Sequence, residues 1–136
     1  MGRVVLAVLA GVISAWVVIM LFEFAGASVY PPPPGSDLSD PEQLRAYIAA
    51  APAAAMLFVV AGWATGAFLG GWVAAKLLHR HRHRLGAALA VGAVVLAGVV
   101  VNAMMIPHPP WFTVLGLLLP LPATWLAARL VPRAET

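Results

Sequence analysis

The sequence predicts an all-α integral membrane protein, a four-helix bundle with a short external interfacial helix, formed by residues 1–136 as a single domain. Hydrophobic residues make up 62% of the chain and charged residues 10%, whereas soluble domains carry about 25% charged residues. The apolar residues also form four long segments. At about 1.5 Å per helical residue, such segments cross a hydrocarbon layer of roughly 30 Å.

The first predicted span covers residues 4–24, because no charged residue occurs between Arg3 and Glu23. A cleaved signal peptide is the alternative, since the positive start and the small residues at 25–27 fit that pattern. The apolar region of a signal peptide is about 7–15 residues long. This apolar run is longer, so the sequence favours a membrane span that is retained.

The external loop is predicted to cover residues 25–52, and its four prolines at 31–34 favour extended polyproline geometry. A short helix is expected over residues 41–51, with Ser39 and Glu42 at capping-box spacing. Its apolar residues fall on one face, so we expect this helix to lie along the membrane surface. That face carries Leu44, Tyr47, Ile48 and Ala51.

The second span, residues 53–78, is predicted to be the packing centre of the bundle. Small residues recur in it every four positions, which places them along one helix face. Membrane helices associate through close packing, and this spacing lets two backbones approach, although a pore lining is an alternative. The stripe comprises Gly62, Gly66, Gly70 and Ala74, and a partner stripe in the first span comprises Ala7, Gly11 and Ala15.

The third and fourth spans are predicted over residues 85–106 and 111–131, with a proline-rich turn between them. Pro120 and Pro122 lie in the middle of the fourth span, where each removes a backbone hydrogen-bond donor. We therefore expect a kinked or broken helix in this span.

Basic residues predict the orientation of the chain in the membrane. Of the eight Lys and Arg residues, all except Arg45 lie near the two termini or in the segment 76–84. Four of the five acidic residues lie between Glu23 and Glu42. Because cytoplasmic loops are enriched in Lys and Arg, both termini are expected in the cytoplasm.

Three motifs carry a resemblance to known proteins: GW-x-x-GAF-x-GG-x-VAA at 62–75, YPPPPG-x-DL-x-D at 30–40 and N-x-MMIPHP-x-WF at 102–112. Together they resemble a group of small bacterial inner-membrane proteins that have four spans and no assigned function. The resemblance covers most of the chain. It implies a multi-pass protein of the bacterial inner (plasma) membrane and implies no activity.

Three polar residues are candidates for a buried cluster: Glu23, Asn102 and His108. Each is predicted near the external end of a span, so a folded bundle would bring them within contact range. Buried ionisable groups in a membrane protein often mark a functional site. The alternative is that Glu23 follows the apolar run and simply marks the membrane interface.

The turn after the second span is strongly basic. Anionic lipid head groups would be attracted to it by about 1 kcal/mol per basic residue, whereas a plain topology signal is the simpler interpretation. Its histidines lack carboxylate or thiolate partners at fixed spacing, so we expect no metal site, and we expect no nucleic-acid partner. The candidate lipid contacts are Lys76, Arg80, Arg82 and Arg84.

Two hypotheses for the function remain open. The first is a structural or accessory protein that packs through its small-residue stripes and either self-associates or docks on a larger membrane complex. The second is an ion-coupled transporter that uses Glu23, since the chain is similar in size to small multidrug-resistance transporters. No enzyme is expected, because the sequence has no nucleophile with a base, no paired carboxylates and no phosphate loop. The chain has no cysteine, and no catalytic residue or cofactor is predicted.

Overall fold

The computed structural model describes residues 1–79 and 82–132, which form helices joined by short connections. Four stretches are long and apolar enough to cross a membrane: α1, α3, α4, and α5 together with α6. The predicted all-α four-helix bundle is therefore confirmed. The helices are α1 (Gly2–Val29), α2 (Pro41–Ala50), α3 (Ala53–Leu77), α4 (Arg84–Met105), α5 (Pro110–Leu118) and α6 (Pro120–Leu130).

α1 continues past its predicted end at residue 24 and reaches Val29. No proline occurs before Pro31, so nothing in the sequence stops the helix earlier. A tertiary contact supports the added turn, since a Cβ built on Gly26 would lie 3.0 Å from the Cβ of Phe58. Glu23 consequently lies more than one turn before the end of the helix.

The connection to α2 contains a tight turn and a helix cap. Gly35 has φ +80°, and the amide of Ser36 donates to the carbonyl of Pro33 at 3.1 Å, a turn geometry that favours glycine. The N-cap of α2 is Asp40, whose carboxylate accepts from the amide of Glu42 at 3.0 Å. The prediction of Ser39 as the cap is wrong by one residue, because Ser39 instead donates to Asp37.

α1 and α3 pack with their backbones in contact along the two small-residue stripes. A Cβ built on Gly11 would lie 2.6 Å from the carbonyl oxygen of Gly70. One built on Gly66 would lie 2.8 Å from the carbonyl oxygen of Ala15. Larger side chains do not fit at these distances, so the helices approach as closely as they do because of the small residues. All seven stripe residues are buried between helices of this chain.

α6 packs against α3 and α4 around one buried polar side chain. Thr124 is fully buried, and its hydroxyl donates within its own helix, to the carbonyl of Leu121 at 2.9 Å. A Cβ built on Gly71 of α3 would lie 2.9 Å from the Cγ2 atom of Thr124, and one on Gly92 of α4 would lie 2.5 Å from its Oγ1 atom. Three helices therefore meet at this threonine.

The fourth span is divided into α5 and α6 at Leu119. Pro120 and Pro122 have no amide hydrogen, so two helical hydrogen bonds are missing at this point. Leu119 itself keeps helical backbone angles, φ −78° and ψ −37°. The backbone thus stays helical where the hydrogen bonds are interrupted.

The two ends of the bundle differ in charge. We call one end the proximal end: it holds the start of α1, the end of α3, the start of α4 and the end of α6. The guanidinium Nη1 of Arg84 joins two of these elements, since it donates to the carbonyl of Val131 at 2.9 Å. The opposite, distal end holds the connections 30–52 and 106–109. The described basic residues other than Arg45 lie at the proximal end, and four of the acidic residues lie toward the distal end.

Candidate functional site

The distal end contains a cavity of about 230 Å³, which we call the distal cavity. The three polar residues singled out from the sequence line it together: Glu23 from α1, Asn102 from α4, and His108 from the connection before α5. Adjacent spans run in opposite directions, so the end of α1, the end of α4 and the start of α5 lie on the same side. Residues far apart in the sequence meet there for that reason.

Glu23 reaches the cavity because of the helix period of α1. Gly26 and Ala27, three and four positions further on, lie on the same helix face and also line the cavity. These two small residues leave space beside the carboxylate. Glu23 is exposed, whereas Asn102 and His108 are half-buried.

Asn102 and His108 are held by short-range structure on the opposite wall. The backbone carbonyl of Asn102 accepts from the amide of Ile106 at 3.0 Å, in the last turn of α4. The imidazole of His108 stacks on the ring of Phe112, with 4.4 Å between ring centroids and 17° between planes. Prolines on both sides of His108 restrict the backbone of this connection.

α2 covers the cavity. One face of α2 lines the cavity with Leu44, Tyr47 and Ile48. The hydroxyl of Tyr47 also donates to the carbonyl of Tyr30 at 3.1 Å. The face that the sequence assigned to the membrane surface thus lies against the end of the bundle. Glu42 and Arg45 of α2 are exposed and do not line the distal cavity.

Two polar atoms in the wall of the cavity are buried without a hydrogen-bond partner, the Oδ1 atom of Asn102 and the Nδ1 atom of His108. Within the described residues, the carboxylate of Glu23 also takes part in no hydrogen bond or ion pair. A buried polar group that lacks a partner costs about 1–3 kcal/mol. The cavity therefore offers polar atoms that a bound molecule can satisfy.

Burial also affects the protonation of the imidazole. Desolvation lowers the pKa of His108 below its ordinary value, and a backbone interaction with Ile106 offsets only part of this effect. The ring is consequently neutral at pH 7, with one nitrogen that donates and one that accepts.

Three basic residues of the proximal end contact an aromatic ring, an imidazole and a backbone carbonyl, respectively. The ammonium of Lys76 lies 4.2 Å from the centroid of the Trp72 ring. Arg82 donates to the imidazole of His83 at 3.1 Å, and Arg84 holds the end of α6, as described above. Lys76 and Arg82 remain exposed and are available to lipid head groups, whereas Arg80 lies outside the described residues.

Within residues 1–79 and 82–132, no group of three or more His, Asp or Glu side chains is placed to hold a metal ion. Sequence reasoning missed the aromatic part of the distal cavity, because Tyr47, Phe58 and Phe112 come from three separate elements. The sequence placed Tyr47 on the apolar face of the external helix and Phe112 beside a proline-rich connection, but it gave no sign that the three rings meet.

Comparisons with protein-family models, curated proteins and solved structures find no match to this chain. The resemblance to a group of small bacterial membrane proteins therefore stays an expectation.

Proposed function

We propose that this chain is a structural or accessory protein of the bacterial inner membrane, with four spans and both termini in the cytoplasm. Support for this role comes from the middle of the bundle, where Ala15, Ala67 and Val91 are each 0% exposed. The ionisable residues of the described spans lie toward the helix ends. A carrier needs a polar path across the membrane, whereas the middle of the bundle is apolar and close-packed in the described residues.

The surface available to a partner is the outer face of α1. The two small-residue stripes are occupied by each other and do not form a docking surface. α1 instead exposes large apolar side chains such as Leu9, Ile13 and Met20, which are 52%, 64% and 63% exposed. Lipid or a second protein covers this face in the membrane, and the accessory role requires a protein.

The chain has no cysteine, so a single introduced thiol can test this requirement. Ile13→Cys, labelled in native membranes with a benzophenone maleimide and irradiated, should give discrete adducts of fixed mass. Twice the mass of the chain indicates self-association, and a larger fixed mass indicates a complex. A matched label at Ala93→Cys on the exposed side of α4 serves as the control. Adducts with lipid alone at position 13 would contradict the accessory role.

The transporter remains the second candidate, because Glu23 lines the distal cavity with Asn102 and His108. Its test is the decay of a pH gradient across proteoliposomes that contain the purified protein. A transporter would dissipate the gradient faster than empty liposomes do, and Glu23→Gln would abolish the difference. Equal rates for the wild type, the variant and empty liposomes would remove this candidate.

A further inference from the structure

Among the described residues, the lining of the distal cavity contains one carboxylate, that of Glu23, and no Lys or Arg side chain. A carboxylate that lacks an ion-pair partner attracts a positive charge that comes close to it. The cavity therefore favours a cationic occupant over an anionic or neutral one.

Two of the side chains that line the cavity supply hydrogen-bond acceptors. The Oδ1 atom of Asn102 accepts hydrogen bonds only, as does an ionised carboxylate, and a neutral imidazole offers one acceptor nitrogen. Since the Oδ1 atom of Asn102 and the carboxylate of Glu23 have no partner among the described residues, the matching occupant carries several N–H donors on one charged centre. A primary ammonium group has three such donors.

The remainder of the lining is apolar and aromatic. The rings of Tyr47, Phe58 and Phe112 contribute to it together with aliphatic side chains, and aromatic faces attract organic cations. The volume of about 230 Å³ lies below the roughly 300–1,000 Å³ of ordinary ligand pockets, so the occupant is small. Hard metal ions prefer six or more oxygen ligands, which one carboxylate and one amide do not provide.

We propose that the distal cavity binds a small primary ammonium ion that carries a compact apolar group. The ammonium lies among Glu23, Asn102 and His108, and the apolar group lies against the aromatic rings beneath α2. Entry is past the exposed carboxylate. This site does not depend on whether the protein is an accessory protein or a transporter.

The test uses the full chain in nanodiscs of zwitterionic lipid at neutral pH, with 2-(4-fluorophenyl)ethylammonium as the probe and its fluorine NMR signal as the readout. Empty nanodiscs give the partition into lipid, which is subtracted. Two probes of similar shape serve as controls, namely 2-(4-fluorophenyl)ethanol, which lacks the charge, and the N,N,N-trimethyl derivative, which lacks the N–H donors. Saturable binding of the primary ammonium should be stronger than that of either control by about tenfold or more.

Variants then assign the binding to the cavity. Glu23→Gln keeps the shape of the side chain and should weaken binding of the primary ammonium by about tenfold or more. Asn102→Leu should weaken it several-fold. Glu42→Gln removes a carboxylate from the outer face of α2, does not touch the cavity, and should leave binding unchanged.

Three results would overturn the proposal. These are the absence of saturable binding above that of empty nanodiscs, equal binding of either control probe, and unchanged binding in Glu23→Gln. The comparison of the three probes uses only the wild-type protein, so it decides the question even if a variant fails to fold.

Discussion

At the scale of single residues, Asn102 and His108 differ from the rest of the bundle because each buries a polar atom without a partner. Thr124 shows the ordinary solution, since its buried hydroxyl donates to carbonyls of its own helix. A leucine in place of Asn102 would avoid the desolvation cost of about 1–3 kcal/mol. An asparagine at this position is what the proposed ammonium site requires.

His108 should make the stability of the protein depend on pH. Its pKa is lowered in the folded state by burial, so the unfolded chain binds a proton more readily than the folded one. The contribution of His108 to stability is then fully present above the pKa of the unfolded chain, about 6.5. It is lost as the pH falls toward the lower pKa of the folded protein. The melting temperature in detergent should drop more in the wild type than in His108→Gln between about pH 7.5 and about pH 5.5.

The comparison between these two proteins isolates the imidazole. Glu23 and Tyr47 line the distal cavity with His108, and Arg45 lines a neighbouring cavity that His108 also lines. These three residues are present in both proteins, as are the other histidines. Parallel melting curves at the two pH values would show that His108 titrates as it does in the unfolded chain.

At the scale of helices, packing was easier to predict than helix ends. The four-residue spacing of Gly62, Gly66 and Gly70 indicates a packing face by itself, because the helix period alone places these residues together. The end of α1 depends on the contact of Gly26 with Phe58, which lies far along the chain. The cap of α2 depends on a choice between the neighbours Ser39 and Asp40, and both residue types cap helices well.

Gly66→Leu should destabilise the bundle, because a Cβ at this position would lie 2.8 Å from the carbonyl oxygen of Ala15 and 2.7 Å from the Cγ1 atom of Ile19. Overpacking of this kind typically costs about 1–3 kcal/mol. Gly98→Leu is the matched control on α4, since nothing lies within 4 Å of a Cβ there. The melting temperature in detergent should fall by several degrees for the first variant only. If the melting temperature of Gly66→Leu stayed as high as that of Gly98→Leu and the wild type, α1 and α3 would separate without cost.

At the scale of the whole molecule, four spans and the separation of charge follow from the sequence, since both depend on composition along the chain. The distal cavity does not follow in full. The sequence could predict that Glu23, Asn102 and His108 lie at one end, because alternating spans bring these helix ends together. It could not predict that α2 covers the cavity, because an amphipathic face of this kind fits a membrane surface equally well.

The orientation of the bundle provides the last prediction. The basic residues gather at the proximal end, and Lys and Arg near span ends are retained in the cytoplasm. Reporter fusions after Arg82 and at the carboxyl end should therefore behave as cytoplasmic, and one near Asp37 as external. The last fusion tests the distal end, where any ligand of the cavity would enter. Mixed signals at these sites would indicate insertion in both orientations, which would contradict the proposed topology and favour the transporter.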